Sequence, residues 1–124
     1  MPYTITYLQT YNIIEKVYSG KLSPENLVEI VDQTYKMMQE TGAKKVIADC
    51  SDLTEGYTAF DLYYLMEKIS HMQIDPYSSE AIILSSNPDT TKNLLFFETL
   101  ATNNGFKCKT FENRAAAMEW LLSH

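Results

Sequence analysis

The chain has 124 residues, of which 45% are apolar and 21% charged, and its formal net charge at pH 7 is −6. This composition is typical of a globular protein, and the length suits a single domain over 1–124, because one core usually spans about 100–150 residues. The acidic balance argues against general nucleic-acid binding, which depends on clustered Lys and Arg. No stretch approaches the run of about 18 apolar residues that a transmembrane segment needs. The N-terminus also lacks a secretory-signal pattern, so we expect a cytoplasmic protein.

The two cysteines and two histidines do not form a recognisable site in the sequence. Cys50 and Cys108 have no CxxC spacing and no neighbouring histidine, which argues against a zinc site or a redox pair and predicts buried free thiols. His71 and His124 are isolated from cysteines and acidic clusters, so we assign neither to catalysis. Phosphate-binding GxGxxG and GKS/GKT sequences are also absent. We therefore predict no metal and no cofactor.

The first half of the chain predicts a hairpin, a helix and a buried strand. Two segments rich in Tyr, Ile, Thr and Val, 3–9 and 12–19, are joined by a short connection, which favours an antiparallel hairpin. Ser23-Pro24-Glu25 is typical of a helix N-terminus, and Gly42 is the predicted end of that helix. The run from Val46 to Asp49 is short and apolar, so it suits a central parallel strand covered by helices.

The second half alternates helices and strands. A second helix begins at Thr58, which forms a predicted capping box with Asp61. The remaining predicted elements are a buried strand at 81–84, a helix from Asn87 to about Asn103, a strand at 108–111 and a last helix capped by Asn113. The resulting order, β-β-α-β-α-β-α-β-α, predicts an α/β fold with a mixed, centrally parallel sheet and four helices.

Polar side chains follow the predicted central strand. If that strand ends at Asp49 and a helix begins at Thr58, then Asp49, Ser51, Asp52 and Thr58 lie at the carboxyl edge of the sheet. Open α/β folds usually keep their sites at this edge. The carboxylates of Asp49, Asp52 and Glu55 could serve a cation or acid–base chemistry. Acids near a helix N-terminus are also stabilised by its positive end, and we prefer this structural interpretation.

Aromatic residues cluster around the start of the second helix. They are Tyr57, Phe60, Tyr63 and Tyr64. The helical period assigns the buried stripe to Leu62, Leu65, Met66 and Ile69. Phe60, Tyr64 and Tyr63 are then left on the flank or the outward face, where they predict a surface for a partner or an apolar ligand. The alternative is that loops or the Phe96-Phe97 pair cover them as extended core.

The order of elements and three local segments resemble the SpoIIAA-like domains of the STAS/SEC14-like superfamily, which are related in fold to bacterial anti-sigma-factor antagonists. The segments are Ile13–Leu22, Val46–Asp52 and Phe111–Leu122, and the resemblance covers nearly the whole chain. The antagonists carry a phosphorylated Ser in an Asp-Ser-Ser-Gly context after the central strand. This chain has Glu55-Gly56-Tyr57-Thr58-Ala59 there, so only Thr58 is comparable. Thr58 is either a phosphate acceptor or a plain helix cap, and the missing motif favours the cap.

The resemblance implies a non-enzymatic regulatory or protein-interaction module that acts through a protein partner or as a homo-oligomer. The similarity to SEC14-type domains implies an alternative, in which a lipid or another apolar small molecule binds between the second helix and the sheet. A third hypothesis, a hydrolase-like enzyme, would use Asp49, Asp52 and Glu55. It has little support, because no set of nucleophile, base and orienting residue is visible in the sequence.

Overall fold

The structure is a computed structural model that describes residues 2–55 and 57–123. Its elements are β1 Tyr3–Leu8, β2 Ile13–Gly20, α1 Pro24–Thr41, β3 Lys45–Leu53, α2 Ala59–Ser70, β4 Ser79–Ile83, α3 Pro88–Asn103, β5 Lys107–Phe111 and α4 Arg114–Leu122. This order confirms the predicted sequence of strands and helices. Gly56 and His124 lie outside the described residues.

The strands form one mixed sheet in the order β1-β2-β3-β4-β5. β1 pairs antiparallel with β2, which confirms the predicted hairpin, and the other neighbouring strands pair in parallel. The predicted central strands are direct partners, with Ile47 opposite Ala81 and Asp49 opposite Ile83. The middle parts of these strands, 46–48 and 81–83, are apolar and buried on both faces, because helices cover the sheet on both sides.

The helices are distributed unequally over the two faces of the sheet. α1, α2 and α3 pack on one face and bury the larger core, whose members include Tyr18, Leu27, Ile30, Ala48, Cys50, Leu65, Met66, Ala101 and Cys108. α4 alone packs on the other face, where Ala117 and Leu121 contact a smaller core around Ile47 and Ala81. Cys50 and Cys108 are buried free thiols, as predicted.

Local side-chain caps set the helix boundaries. The N–H of Asn26 donates to Ser23 Oγ at 3.1 Å, and the N–H of Ser23 donates to Asn26 Oδ1 at 3.1 Å, which satisfies two N-terminal groups of α1. Gly42 ends α1 with a φ of 76°, a left-handed conformation that glycine adopts without steric cost. Among the described residues, every helix falls short of the length and apolarity that a membrane crossing requires.

The prediction that the central strand stops at Asp49 is wrong, because β3 continues to Leu53. Asp49 pairs with Val17 and Asp52 pairs with Ser19, so three steps along β3 match two along β2. This mismatch is a β-bulge. It allows Cys50 and Leu53, which are three residues apart, to face the same core. The bulge therefore changes the surroundings of the predicted edge residues.

Candidate functional site

Asp49 and Ser51 lie within β3 and bind each other. The backbone N–H and the hydroxyl of Ser51 donate to Asp49 Oδ1 at 3.0 and 2.6 Å. Since Ala48 and Cys50 face the larger core, Asp49 points to the opposite face of the sheet, the one that carries α4. The predicted edge cluster is thus divided: Asp49 and Ser51 lie on the α4 face, whereas Thr58 begins α2 on the other side.

The remaining acidic residues of the predicted cluster do not converge on a metal site. Asp52 is exposed, and Glu55 pairs with Lys21 at 3.4 Å on the surface. Within residues 2–55 and 57–123, no group of three or more His, Cys, Asp or Glu side chains could hold a metal ion. His71 lies at the end of α2, where its Nε2 is 3.4 Å from the carboxylate of Glu67.

Thr58 caps α2 in the predicted way. The N–H of Asp61 donates to Thr58 Oγ1 at 3.1 Å, and the N–H of Thr58 donates to Asp61 Oδ2 at 3.3 Å. The capping interpretation is confirmed, and phosphorylation of this exposed threonine stays a prediction. A phosphate there would lie at the positive N-terminal end of α2, which favours it, and beside the Asp61 carboxylate, which repels it.

Three of the four predicted surface aromatics are exposed. The exposed fractions are 78% for Phe60, 63% for Tyr63 and 66% for Tyr64, and we refer to these residues as the aromatic surface. The expectation that Phe60 and Tyr64 remain at least partly exposed is confirmed. The alternative, in which loops or the Phe96-Phe97 pair cover them as extended core, is wrong because all three side chains stay exposed.

Tyr57 departs from the prediction, because it is only partly exposed and packs against the larger core. Its hydroxyl oxygen is buried, and this burial raises the pKa of the Tyr57 phenol. The helical period did not apply to Tyr57, since this residue precedes Thr58, the cap of α2. Tyr57 therefore lies beside the aromatic surface without belonging to it.

A groove of about 310 Å³, the aromatic groove, runs between the N-terminal turns of α1 and α2. Phe60 and Tyr64 form one wall, and Pro24 and Val28 contribute to the other. Two carboxylates, those of Glu25 and Asp61, also line the aromatic groove. The groove therefore combines apolar walls with negative charge.

The sequence analysis does not predict a buried ion pair that lies between the sheet and the helices α1, α2 and α3. Lys16 Nζ lies 2.7 Å from Glu80 Oε2, and the two side chains are only 9% and 23% exposed. Lys16 belongs to β2 and Glu80 to β4, so the pair spans β3, where Ala48 lies opposite Lys16 and Val46 lies opposite Glu80. Burial lowers the pKa of Lys16, but Glu80 and Tyr18 raise it, and the net effect keeps that pKa above its ordinary value.

Two cavities adjoin this ion pair, and both are lined by Lys16 and Glu80. One, of about 110 Å³, lies near the amino-terminal ends of β3, β4 and β5, and we call it the ion-pair cavity. The other, of about 90 Å³, extends towards Tyr57 and Thr90. The sequence does indicate that Lys16 is buried. Lys16 lies between Ile14 and Tyr18 in the alternation of β2, and alternate residues of a strand face the same side of the sheet.

Comparison with known proteins supports the fold assignment. The structure is similar to the crystal structure of an uncharacterized protein of the DUF3478 family with a SpoIIAA-like fold from Shewanella loihica PV-4. The TM-score is 0.57 at 17% identity, and the match covers 96% of this chain and 93% of the other. The fold is SpoIIAA-like. No protein-family model and no curated protein matches the chain.

The SpoIIAA-like fold confirms the family resemblance of the sequence at the level of architecture. At 17% identity the match indicates fold alone, and the matched protein is described as uncharacterized. The function of this SpoIIAA-like chain must therefore be argued from its own residues.

Proposed function

We propose that the protein is a non-enzymatic interaction module that binds an apolar, positively charged segment of a protein partner in the aromatic groove. The observation that carries this proposal is the exposure of Phe60 and Tyr64 along a groove of about 310 Å³. We also propose that residues 1–124 form a single domain and that the protein acts in the cytoplasm, where its two buried thiols would stay reduced.

The aromatic surface has the composition of a binding hot spot. Phe60 and Tyr64 are one helical turn apart, so their rings lie on the same side of α2, and Tyr63 extends the surface. Aromatic side chains supply large contact area at low entropic cost and are enriched at the centres of interfaces. A partner that inserts an apolar side chain between α1 and α2 would cover the rings of Phe60 and Tyr64.

The charge of the aromatic groove favours a basic partner over a second copy of this chain. Glu25 makes no ion pair in the part of the chain that the structure describes, and Asp61 adds a second carboxylate. A two-fold dimer would place the same surface on both subunits, so these carboxylates would approach each other. A Lys or Arg beside the inserted apolar residue would instead meet opposite charge.

A second candidate function is the binding of an apolar small molecule below the helices. The two cavities beside the Lys16–Glu80 pair favour it, because they lie between α1, α2, α3 and the sheet and have largely apolar walls. Sites for small ligands are usually concave and apolar with a few polar groups. This function is compatible with partner binding, since the cavities and the aromatic groove are lined by largely different residues.

The test of the main proposal uses a photo-crosslinking amino acid at position 60 in cells. The control carries the same amino acid in place of Tyr11, an exposed aromatic residue in the turn between β1 and β2. A protein that crosslinks at position 60 but not at position 11 is then purified. Its affinity for the chain without the crosslinking amino acid is measured by titration. We expect the double variant Phe60→Ser/Tyr64→Ser to weaken binding at least tenfold, whereas Tyr11→Ser leaves it unchanged. Affinity should also fall with added salt.

Equal binding by the double variant and by Tyr11→Ser would overturn the assignment of the aromatic groove. A partner whose crosslinked segment carries no Lys or Arg would overturn the charge argument. Self-association that is abolished by Phe60→Ser/Tyr64→Ser would identify a second copy of the chain as the occupant, contrary to the proposal.

A further inference from the structure

We infer that the outer edge of β1 pairs with β1 of a second copy of this chain, antiparallel and about a two-fold axis at Ile5. The result is a dimer with one continuous sheet of ten strands, five from each chain. This inference goes beyond the proposed function and does not rest on it, because the aromatic groove is lined by residues of α1 and α2.

The outer edge of β1 carries backbone groups that have no neighbouring strand. β1 lies at one end of the sheet, where β2 is its neighbour. The N–H of Ser19 donates to the carbonyl oxygen of Pro2 at 2.8 Å, so Pro2 turns its backbone towards β2. Alternate residues of an antiparallel strand bond to the same neighbour, so Tyr3, Ile5 and Tyr7 direct their N–H and C=O groups outwards. In the described part of the chain, no hydrogen bond reaches these outward groups.

The opposite edge of the sheet, β5, is protected against pairing with another chain. Lys107 and Lys109 are exposed on this strand, and the N–H of Thr110 donates to Glu98 Oε2 at 2.7 Å. Charged side chains, prolines, bulges and covering groups are the usual means of keeping an edge strand from pairing. β1, in contrast, consists of uncharged residues without proline and pairs with β2 without a bulge. The sheet therefore has one open edge and one protected edge.

The sequence of β1 favours a second copy as the occupant of this open edge. Residues 3–7 read Tyr-Thr-Ile-Thr-Tyr, which is the same in both directions. Antiparallel pairing about Ile5 places Tyr3 opposite Tyr7 of the second copy and Thr4 opposite Thr6 of the second copy. Aromatic pairs and Thr–Thr pairs are among the cross-strand pairs that stabilise sheets. In this register every outward N–H and C=O group of both copies gains a partner.

The rigidity and charge of β1 also suit pairing with a copy. Tyr3 is only 6% exposed, and Ile5 and Tyr7 are partly buried against the cores, so the strand is held in place before it pairs. Such preorganisation lowers the entropic cost of association. Although each chain carries a net charge of −6, β1 itself is neutral, so no charged side chains of the two strands face each other.

The arrangement of the two edges limits the assembly to two chains. When β1 pairs with its copy, the open edges of both chains are used. The dimer then ends in two β5 strands, and both of these are protected. A contact that uses the same surface on both subunits closes as a two-fold dimer and does not continue into a fibre.

The experiment measures the oligomeric state by sedimentation velocity at increasing protein concentration and backbone amide exchange by NMR in the same samples. We expect a particle with the mass of two chains that dissociates on dilution. Exchange of the Ile5 and Tyr7 amides should slow about tenfold or more as the dimer forms, because their N–H groups become hydrogen-bonded. Exchange of the Thr110 amide should not depend on concentration, because Glu98 binds it within one chain.

Charge substitutions at Thr4 and Thr6 test the register. Both side chains are exposed on the face of β1 that points away from α1, so changes there leave the core intact. Thr4→Lys/Thr6→Lys places like charges opposite each other, and we expect it to weaken dimerisation about tenfold or more. Thr4→Glu/Thr6→Lys alters the same positions but places opposite charges opposite each other, so it should retain the dimer. Thr99→Lys/Thr102→Lys adds the same charge as the double lysine variant at exposed positions of α3 and is the control, which should dimerise like the unsubstituted chain.

Three results would overturn the inference: a chain that stays monomeric up to millimolar concentration, a dimer that survives Thr4→Lys/Thr6→Lys, or the loss of the dimer in both charged variants of β1. Circular dichroism checks that each variant is folded. If Thr4→Lys/Thr6→Lys does not fold, the concentration dependence of the Ile5 and Tyr7 amides in the unsubstituted chain decides. A monomeric chain leaves the proposed function standing, because partner binding is tested separately by crosslinking at position 60.

Discussion

The sharpest consequence of the structure concerns the buried Lys16–Glu80 pair. Replacing Glu80 with Leu leaves the Lys16 ammonium, whose side chain is 9% exposed, without its counter-charge. Removing one partner of a buried pair costs about 3–5 kcal/mol in the free energy of unfolding. Lys16→Met leaves Glu80, whose side chain is 23% exposed and keeps part of its hydration. We therefore expect a smaller loss, about 2–3 kcal/mol.

The double variant Lys16→Met/Glu80→Leu removes both charges and replaces them with apolar side chains of similar size. Replacing a buried ion pair in this way is often neutral or stabilising, so we expect its free energy of unfolding within about 1 kcal/mol of the unsubstituted chain. The measurement is urea denaturation at neutral pH, followed by far-ultraviolet circular dichroism and by the fluorescence of the single tryptophan. The two signals report on the helices and on α4, respectively.

The exposed pair formed by Lys21 and Glu55 is the control. Lys21→Met should change the free energy of unfolding by less than about 1 kcal/mol, because exposed ion pairs contribute little. If Glu80→Leu also costs less than about 1 kcal/mol, the Lys16 ammonium reaches water and the pair is not buried. If the double variant loses as much free energy of unfolding as the two single variants together, the two charges do not act as a pair.

Three further predictions concern pH, α4 and α1. Burial raises the pKa of Cys50 above 9.0 and Glu80 keeps that of Lys16 above 10.5, so the folded chain holds both protons longer than the unfolded chain. The free energy of unfolding under reducing conditions should therefore fall as pH rises past 9 and more steeply past 10.5. Cys50→Ala should remove only part of the fall between pH 9 and 10.5, because burial also raises the pKa of the Cys108 thiol; a flat profile from pH 8 to 11 would contradict this. Trp120→Ala should lower the free energy of unfolding by about 2–3 kcal/mol, since the Trp120 ring packs with its centroid 5.6 Å from that of Phe111. This is less than for a fully buried Trp, because the side chain is partly exposed. An unchanged urea midpoint would show that α4 does not depend on this contact. Ser23→Ala should cost about 1 kcal/mol by removing the cap of α1, and a loss below the error of the same titration would refute that role.

Much of the fold could be predicted because the signals are local. The caps at Ser23, Thr58, Asn87 and Asn113 depend on residues within three positions, so the sequence alone predicts where each helix begins. The short apolar runs predict the parallel centre of the sheet, and the helical period of α2 predicts that Phe60 and Tyr64 face outwards. These inferences need only the periods of helices and strands and the chemistry of their ends.

The candidate sites depend on contacts between distant segments, which only the tertiary structure decided. The extension of β3 to Leu53 requires pairing with Gly20 and a bulge. Asp49 and Thr58 lie on different sides of the sheet because the neighbours of Asp49, Ala48 and Cys50, face the larger core, and α2 packs on that same side. Lys16 and Glu80 are far apart in sequence, and they meet because their strands flank β3 on both sides. No local pattern specifies such a pairing, because strand order and register are set by the packing of the whole sheet and its helices.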